Sequence, residues 1–117
     1  MRSAPERLSL RVRRLVTDPE TELLLSAVSL WELAIKISIG KLRLPEPLTD
    51  YVSSRTTEDA IGLLALQPMH AMRVADLPLH HRDPFDRMLI AQAQAEGVPL
   101  ISADKTLVKY DVTIIRA

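Results

Sequence analysis

RDPFDRMLIAQAQAEGVPLISAD, residues 82–104, is the stretch that decides the fold. Asp83 followed by Pro84 opens a helix. An aspartate at the cap accepts from the unpaired N–H groups of the first turn, and a proline at the first helical position forfeits no hydrogen bond. The helix runs to Glu96 and stops at Gly97, a residue that tolerates the left-handed cap. Val98–Ile101 then reads as a strand, and Asp104 falls just past its end. Helix, glycine, strand and acid in that order mark an α/β unit, and in open parallel sheets ligands sit at the carboxyl ends of the strands.

The rest of the chain repeats the alternation. Leu8, Val12, Leu15 and Val16 recur at helical spacing among Arg7, Arg11, Arg13 and Arg14, which predicts an amphipathic helix after Pro5 that Asp18-Pro19 ends. Leu23-Leu24-Leu25 is a short apolar run suited to a buried parallel strand. A helix follows from about Ser26 to Ile39, closed by Gly40, and a weaker one spans residues 48–59. Leu63–Leu66 is a second strand, Pro68 opens a helix through Met69, Met72 and Val74, and Leu77–Arg82 is a loop. A short helix over Asp104–Tyr110 and a strand over Val112–Ile115 complete the chain. Strands alternating with helices predict a parallel sheet covered on both faces.

The totals fit one domain over residues 1–117. Apolar residues make up 47% and charged ones 26%, as in an ordinary folded protein. Fifteen basic residues cancel fifteen acidic ones, so nucleic acid would have to be gripped by local patches and not by a global basic field. With no cysteine, disulfides and thiolate metal sites are excluded, and a reducing cytoplasm is the expected setting. No apolar run approaches the roughly 20 residues of a membrane span.

Three carboxylates stand out. Asp86 shares a helix face with Leu89, Ile90 and Ala93, where a charge is costly unless paired, although acids in a first turn also favour the helix dipole. Glu32 lies on a helix that is apolar almost all round; an i,i+4 pair with Lys36, or a capping box from Ser29, would also account for it. Asp104 could simply cap the helix after it, as could Ser102. Together the three favour a hard, oxygen-loving ion, magnesium or manganese, and hence metal-dependent phosphodiester cleavage. His80-His81 reads as a solvated loop, since adjacent side chains point apart and no further His or Cys supports a zinc site. Met69, Met72 and Met88 read as core fillers. Arg82, Arg87, Lys36, Lys41 and Lys105 flank the acids and could hold phosphates.

The segments Leu25–Lys36, Gly40-Lys41-Leu42, His81–Ala93 and Leu100–Asp104 together resemble the PIN-domain VapC toxins of prokaryotic toxin–antitoxin pairs. The resemblance runs from about Pro5 to the C-terminus. It implies a three-layer α/β/α sandwich with a mainly parallel sheet and a magnesium- or manganese-dependent ribonuclease. Glu32, Asp86 and Asp104 then match the catalytic, metal-holding acids, Asp83 an accessory acid, and Ser102 a polar position beside the metal. Arg82, Arg87 and Lys105 would meet RNA. It also implies a cognate antitoxin laid across the site, and a homodimer.

The chain departs from the family pattern at its start. Members open with a strand ending in an aspartate followed by Thr or Ser, whereas only Met1-Arg2-Ser3-Ala4 precedes Pro5 here. The expectation is a fold lacking the usual first central strand, with weakened metal affinity, and catalysis in doubt for want of that aspartate. Two other readings stay open. One is a non-catalytic PIN remnant that binds the antitoxin. The other is a different small α/β phosphoacceptor or binding module.

Overall fold

The computed structural model describes residues 10–117. Arg7 and Leu8 of the first predicted helix lie outside the described residues, as do the side chains of Arg11, Val12, Arg13 and Val16. The chain forms two compact units. One is Glu22–Ala65, and the other joins the described residues up to Thr21 with Leu66–Ala117.

In the first of these units the order is β1 (Leu24–Ser26), α2 (Ala27–Ser38), α3 (Leu48–Glu58) and β2 (Gly62–Leu64), α1 being Leu10–Thr17 of the other unit. Ser26 ends the strand and starts the helix at once: its Oγ accepts the Val28 N–H at 3.0 Å, satisfying one of the orphan donors of a first turn. That cap displaces the alternative box from Ser29. β1 and β2 are parallel, with Leu25 opposite Leu63. A Cβ on residue 62 would stand 3.0 Å from Leu24 Cδ2, the end of an exposed side chain that would have to turn slightly aside. Gly40, at φ +77°, closes α2 as expected.

A helix that is apolar almost all round is expected to bury Trp31 as well. Trp31 is instead 58% exposed, and only Val28 of that helix is buried. Two three-residue strands and two helices carry too little surface to cover a helix that is apolar on every side.

In the other unit, α1 is followed by α4 (Pro68–Arg73), a 3₁₀ turn (Val74–Asp76), α5 (Pro84–Glu96), β3 (Leu100–Ser102), a second 3₁₀ turn (Lys105–Lys109) and β4 (Ile114–Arg116). β3 and β4 are parallel, Ile101 lying opposite Ile115. The core is Leu77, Ile90, Ala91, Leu107 and Tyr110, with Val74, Leu100, Val112 and Ile114 packed against it. Burying an isoleucine fully contributes roughly 1.5–3 kcal/mol, and Ile90 is fully enclosed.

α4 does not follow the expected pattern. Met69 and Met72 are exposed and His70 is fully buried. The imidazole has partners that a thioether could not use: Nδ1 accepts the Gln67 N–H at 3.0 Å, and Nε2 lies 2.9 Å from Glu96 Oε2. The first turn of α4 is thereby tied to the last residue of α5.

The class is therefore α/β with parallel strands. Among the described residues the four strands make two separate two-stranded ladders. No described helix is long and apolar enough to cross a membrane.

Candidate metal centre

Three segments of the α5 unit deliver three side chains to one point. Asp83 caps α5, its Oδ1 accepting the N–H groups of Phe85 at 2.8 Å and Asp86 at 3.2 Å. That fixes the first turn, and Asp86 stands in it. Asp104 follows β3 and caps the second 3₁₀ turn. Its Oδ1 accepts from the Thr106 N–H at 2.9 Å and the Thr106 hydroxyl at 2.7 Å, while its own N–H donates to Ser102 Oγ at 3.1 Å. From the loop before α5, His81 places Nε2 2.8 Å from Asp104 Oδ2 and 3.6 Å from Asp86 Oδ2. One nitrogen and two carboxylate oxygens lie within 4.8 Å of one another.

The loop carrying His81 has no helix or strand, yet it is tied down. Arg87 Nη1 donates to Pro78 O at 3.0 Å, Tyr110 Oη at 3.2 Å and His81 O at 3.5 Å; Nη2 donates to Val74 O at 3.3 Å and Leu77 O at 3.4 Å. The Tyr110 hydroxyl accepts the N–H groups of His80 at 3.2 Å and His81 at 3.0 Å. The His80 ring meets Tyr110 edge-on, with centroids 5.0 Å apart at 69°. Finally, the Asp83 N–H donates to His81 Nδ1 at 3.0 Å. A main-chain N–H can only donate, so Nδ1 is the acceptor and the neutral ring carries its proton on Nε2.

Of the acids singled out in the sequence, Asp86 and Asp104 come together. Glu32 belongs to the 22–65 unit, where its carboxylate lies 3.2 Å from Lys36 Nζ in an i,i+4 pair. Arg82 and Lys105 are exposed, and Arg82 lines a shallow groove of about 380 Å³ with Leu79, His80, His81, Asp104 and Thr106. Arg87 departs from its expected place among the RNA-binding cations. Its guanidinium is engaged by four carbonyls and a phenol of its own unit.

His81 is the residue that sequence reasoning missed. Adjacent side chains do point apart, as expected: His80 turns to Tyr110 and His81 to the acids. The overlooked signal was local. A histidine two residues before a helix cap can accept the N–H of the cap residue, as Asx side chains do, and this orients its other nitrogen.

The hydrogen bonds from the Thr106 hydroxyl and N–H, followed by that from His81, hold the Asp104 carboxyl below the usual carboxylate range. A depressed folded-state value means that this group's contribution to stability is fully present above its unfolded value. It is lost as pH falls through the folded one. Asp104→Asn should therefore flatten the acid limb of the stability curve, measured by urea unfolding from about pH 6 to pH 3. An acid limb as steep as that of the unmodified protein would contradict this.

Facing carboxylate oxygens from Asp86 and Asp104 suit a small hard cation such as magnesium or manganese, so the donor set fits one. The comparison with known families is decisive: the PIN domain family profile matches residues 3–112. The chain belongs to the PIN domain family. The matched range contains Glu32, Asp86 and Asp104, and the α/β class with parallel strands accords with a PIN domain. The chain is also similar to Ribonuclease VapC16 of Mycobacterium tuberculosis, 40% identical over 58 residues. That alignment covers 50% of this PIN chain and 41% of the relative, so the match spans about two-fifths of the curated relative's length.

Proposed function

We propose that the chain is a single PIN domain of VapC type, a magnesium- or manganese-dependent endoribonuclease whose metal is held by Asp86 and Asp104. One observation carries the reading: in a PIN-family chain, these two carboxylates, brought from a helix start and a strand end, face one another across His81 within 4.8 Å. Glu32 is included as a third acid on the resemblance of its helix alone. The family's three-layer α/β/α sandwich is part of the same proposal.

Such an ion, when bound, supplies activation of water and neutralises charge developing on a phosphoryl oxygen. The chain's own residues bind and orient. Thr106 and Ser102 hold Asp104, and Asp83 holds the turn that carries Asp86. Arg82 and Lys105, both exposed, would take RNA phosphates as positioning contacts; Arg87 is already committed elsewhere. Partners on this reading are a cytoplasmic RNA substrate, a cognate antitoxin protein and a second copy of the chain.

The test needs a readout of metal as well as of cleavage. Added Mn2+ should raise the melting temperature, because a ligand that binds only the folded state stabilises it, and should support RNA cleavage. Asp86→Asn and Asp104→Asn should each remove both effects while leaving a cooperative melt. A manganese shift that survives both substitutions would sink the assignment.

A further inference from the structure

The inference rests on the reading of Asp86 and Asp104 as the metal-holding acids, and it concerns the histidine between them. We propose that His81 is a positioning residue of this centre and not one of its ligands: its Nε2–H holds Asp104 Oδ2 toward Asp86.

The argument is one of protons. To coordinate through Nε2 the ring must offer a lone pair there, which moves the proton of the neutral ring to Nδ1. Nδ1 lies 3.0 Å from the Asp83 N–H, so that tautomer sets donor against donor. The clash cannot be relieved cheaply. Asp83 is the cap of α5, with its carboxylate committed to the N–H groups of Phe85 and Asp86, and turning its peptide would undo the start of the helix. The histidine main chain is equally constrained, its N–H donating to Tyr110 Oη and its carbonyl accepting from Arg87. The geometry thus leaves one arrangement with every donor matched: Nδ1 accepting and Nε2–H donating to Asp104 at 2.8 Å.

The consequence is a centre whose metal-facing atoms are all oxygen despite an imidazole beside them. Nitrogen ligation would favour zinc, whereas carboxylate oxygens suit magnesium and manganese. A hydrogen bond to a ligating carboxylate fixes its orientation, and losing such a partner typically weakens metal binding about 10–100-fold.

The experiment is a calorimetric titration of Mn2+ and Zn2+ into the unmodified protein, His81→Ala and His81→Gln. Glutamine places an N–H donor at about the reach of Nε2 and offers no imidazole. His81→Ala should bind Mn2+ about tenfold more weakly or worse. His81→Gln should recover most of that loss, and the ratio of zinc to manganese affinity should stay the same in all three. An Ala variant that binds as tightly as the unmodified protein or tighter overturns the proposal, as does a Gln variant as weak as Ala, or a selective loss of zinc in both.

Should the Ala variant fail to fold, the unmodified protein still decides. Long-range proton–nitrogen NMR correlations of the neutral His81 ring should show Nε2 protonated without and with Mg2+, and a proton found on Nδ1 in the loaded protein overturns the proposal. Asp86→Asn and Asp104→Asn are titrated alongside. If they bind Mn2+ unchanged, the functional reading itself has failed; if they lose it and the His81 pattern does not appear, only this inference has.

Discussion

Arg87→Met should lower folding stability by about 3 kcal/mol, one of the two largest effects expected in this chain. Its guanidinium is the donor for Val74 O, Leu77 O, Pro78 O, His81 O and Tyr110 Oη. Hydrogen bonds to charged groups contribute about 1.5–3 kcal/mol each in isolation, but bonds sharing one side chain are far from additive. Methionine keeps much of the length and apolar stem, so the loss reports the donors and not the packing. Arg87→Lys should recover only part, because an ammonium cannot reproduce the planar fork that reaches carbonyls on two sides. Urea unfolding measures both variants. A loss below about 0.5 kcal/mol for Met would place Arg87 among ordinary surface charges. The same variant should loosen His81, and with it manganese affinity should fall further than the global stability loss explains.

The other large effect is Ile90→Ala, expected to cost about 3–4 kcal/mol. Ile90 is fully buried among Leu77, Ala91, Leu107 and Tyr110. Removing its outer carbons forfeits their transfer energy and leaves a cavity whose walls relax only in part. In a chain of 117 residues this corresponds to a melting temperature lower by roughly 12 °C. Ile90→Val, with one methylene fewer, should cost about 1 kcal/mol. Ile90 lies one turn after Asp86 on α5, so the packing that holds the helix also aims the acid. A melting temperature within a few degrees of the unmodified value would show that the site collapses around the smaller side chain.

The legible parts of the sequence were those where one residue type answers one local need. Asp83, Pro84 and Gly97 bracket α5 as expected, and the structure gives Gly97 the left-handed φ of +66°. Asp104 caps the turn after β3, and Gly40 closes α2. Strand positions were legible to within two residues: 98–101 was expected where 100–102 pairs, and 63–66 where 62–64 pairs. Apolar runs mark a strand, while the ladder's ends are set by partners far along the chain.

What the sequence hid was tertiary. The burial of His70 depends on Glu96, 26 residues later, and the orientation of the half-buried His81 on Asp104, 23 residues later. No periodicity announces either pairing. Methionine was read as core filler for its composition, but α4 turns inward the one side chain able to satisfy Gln67 N–H and Glu96 together.

The tether around Tyr110 bears on how the chain meets proteases. Arg82 is an exposed arginine in a stretch without regular structure, and such stretches are ordinarily where nicking starts. A peptide must be drawn out into a cleft to be cut. Here the two residues before Arg82 donate to a buried phenol, and the one after it to an imidazole. Protection from digestion at this point would then rest on three side chains, Tyr110, Arg87 and His81, and not on a helix or strand enclosing the bond.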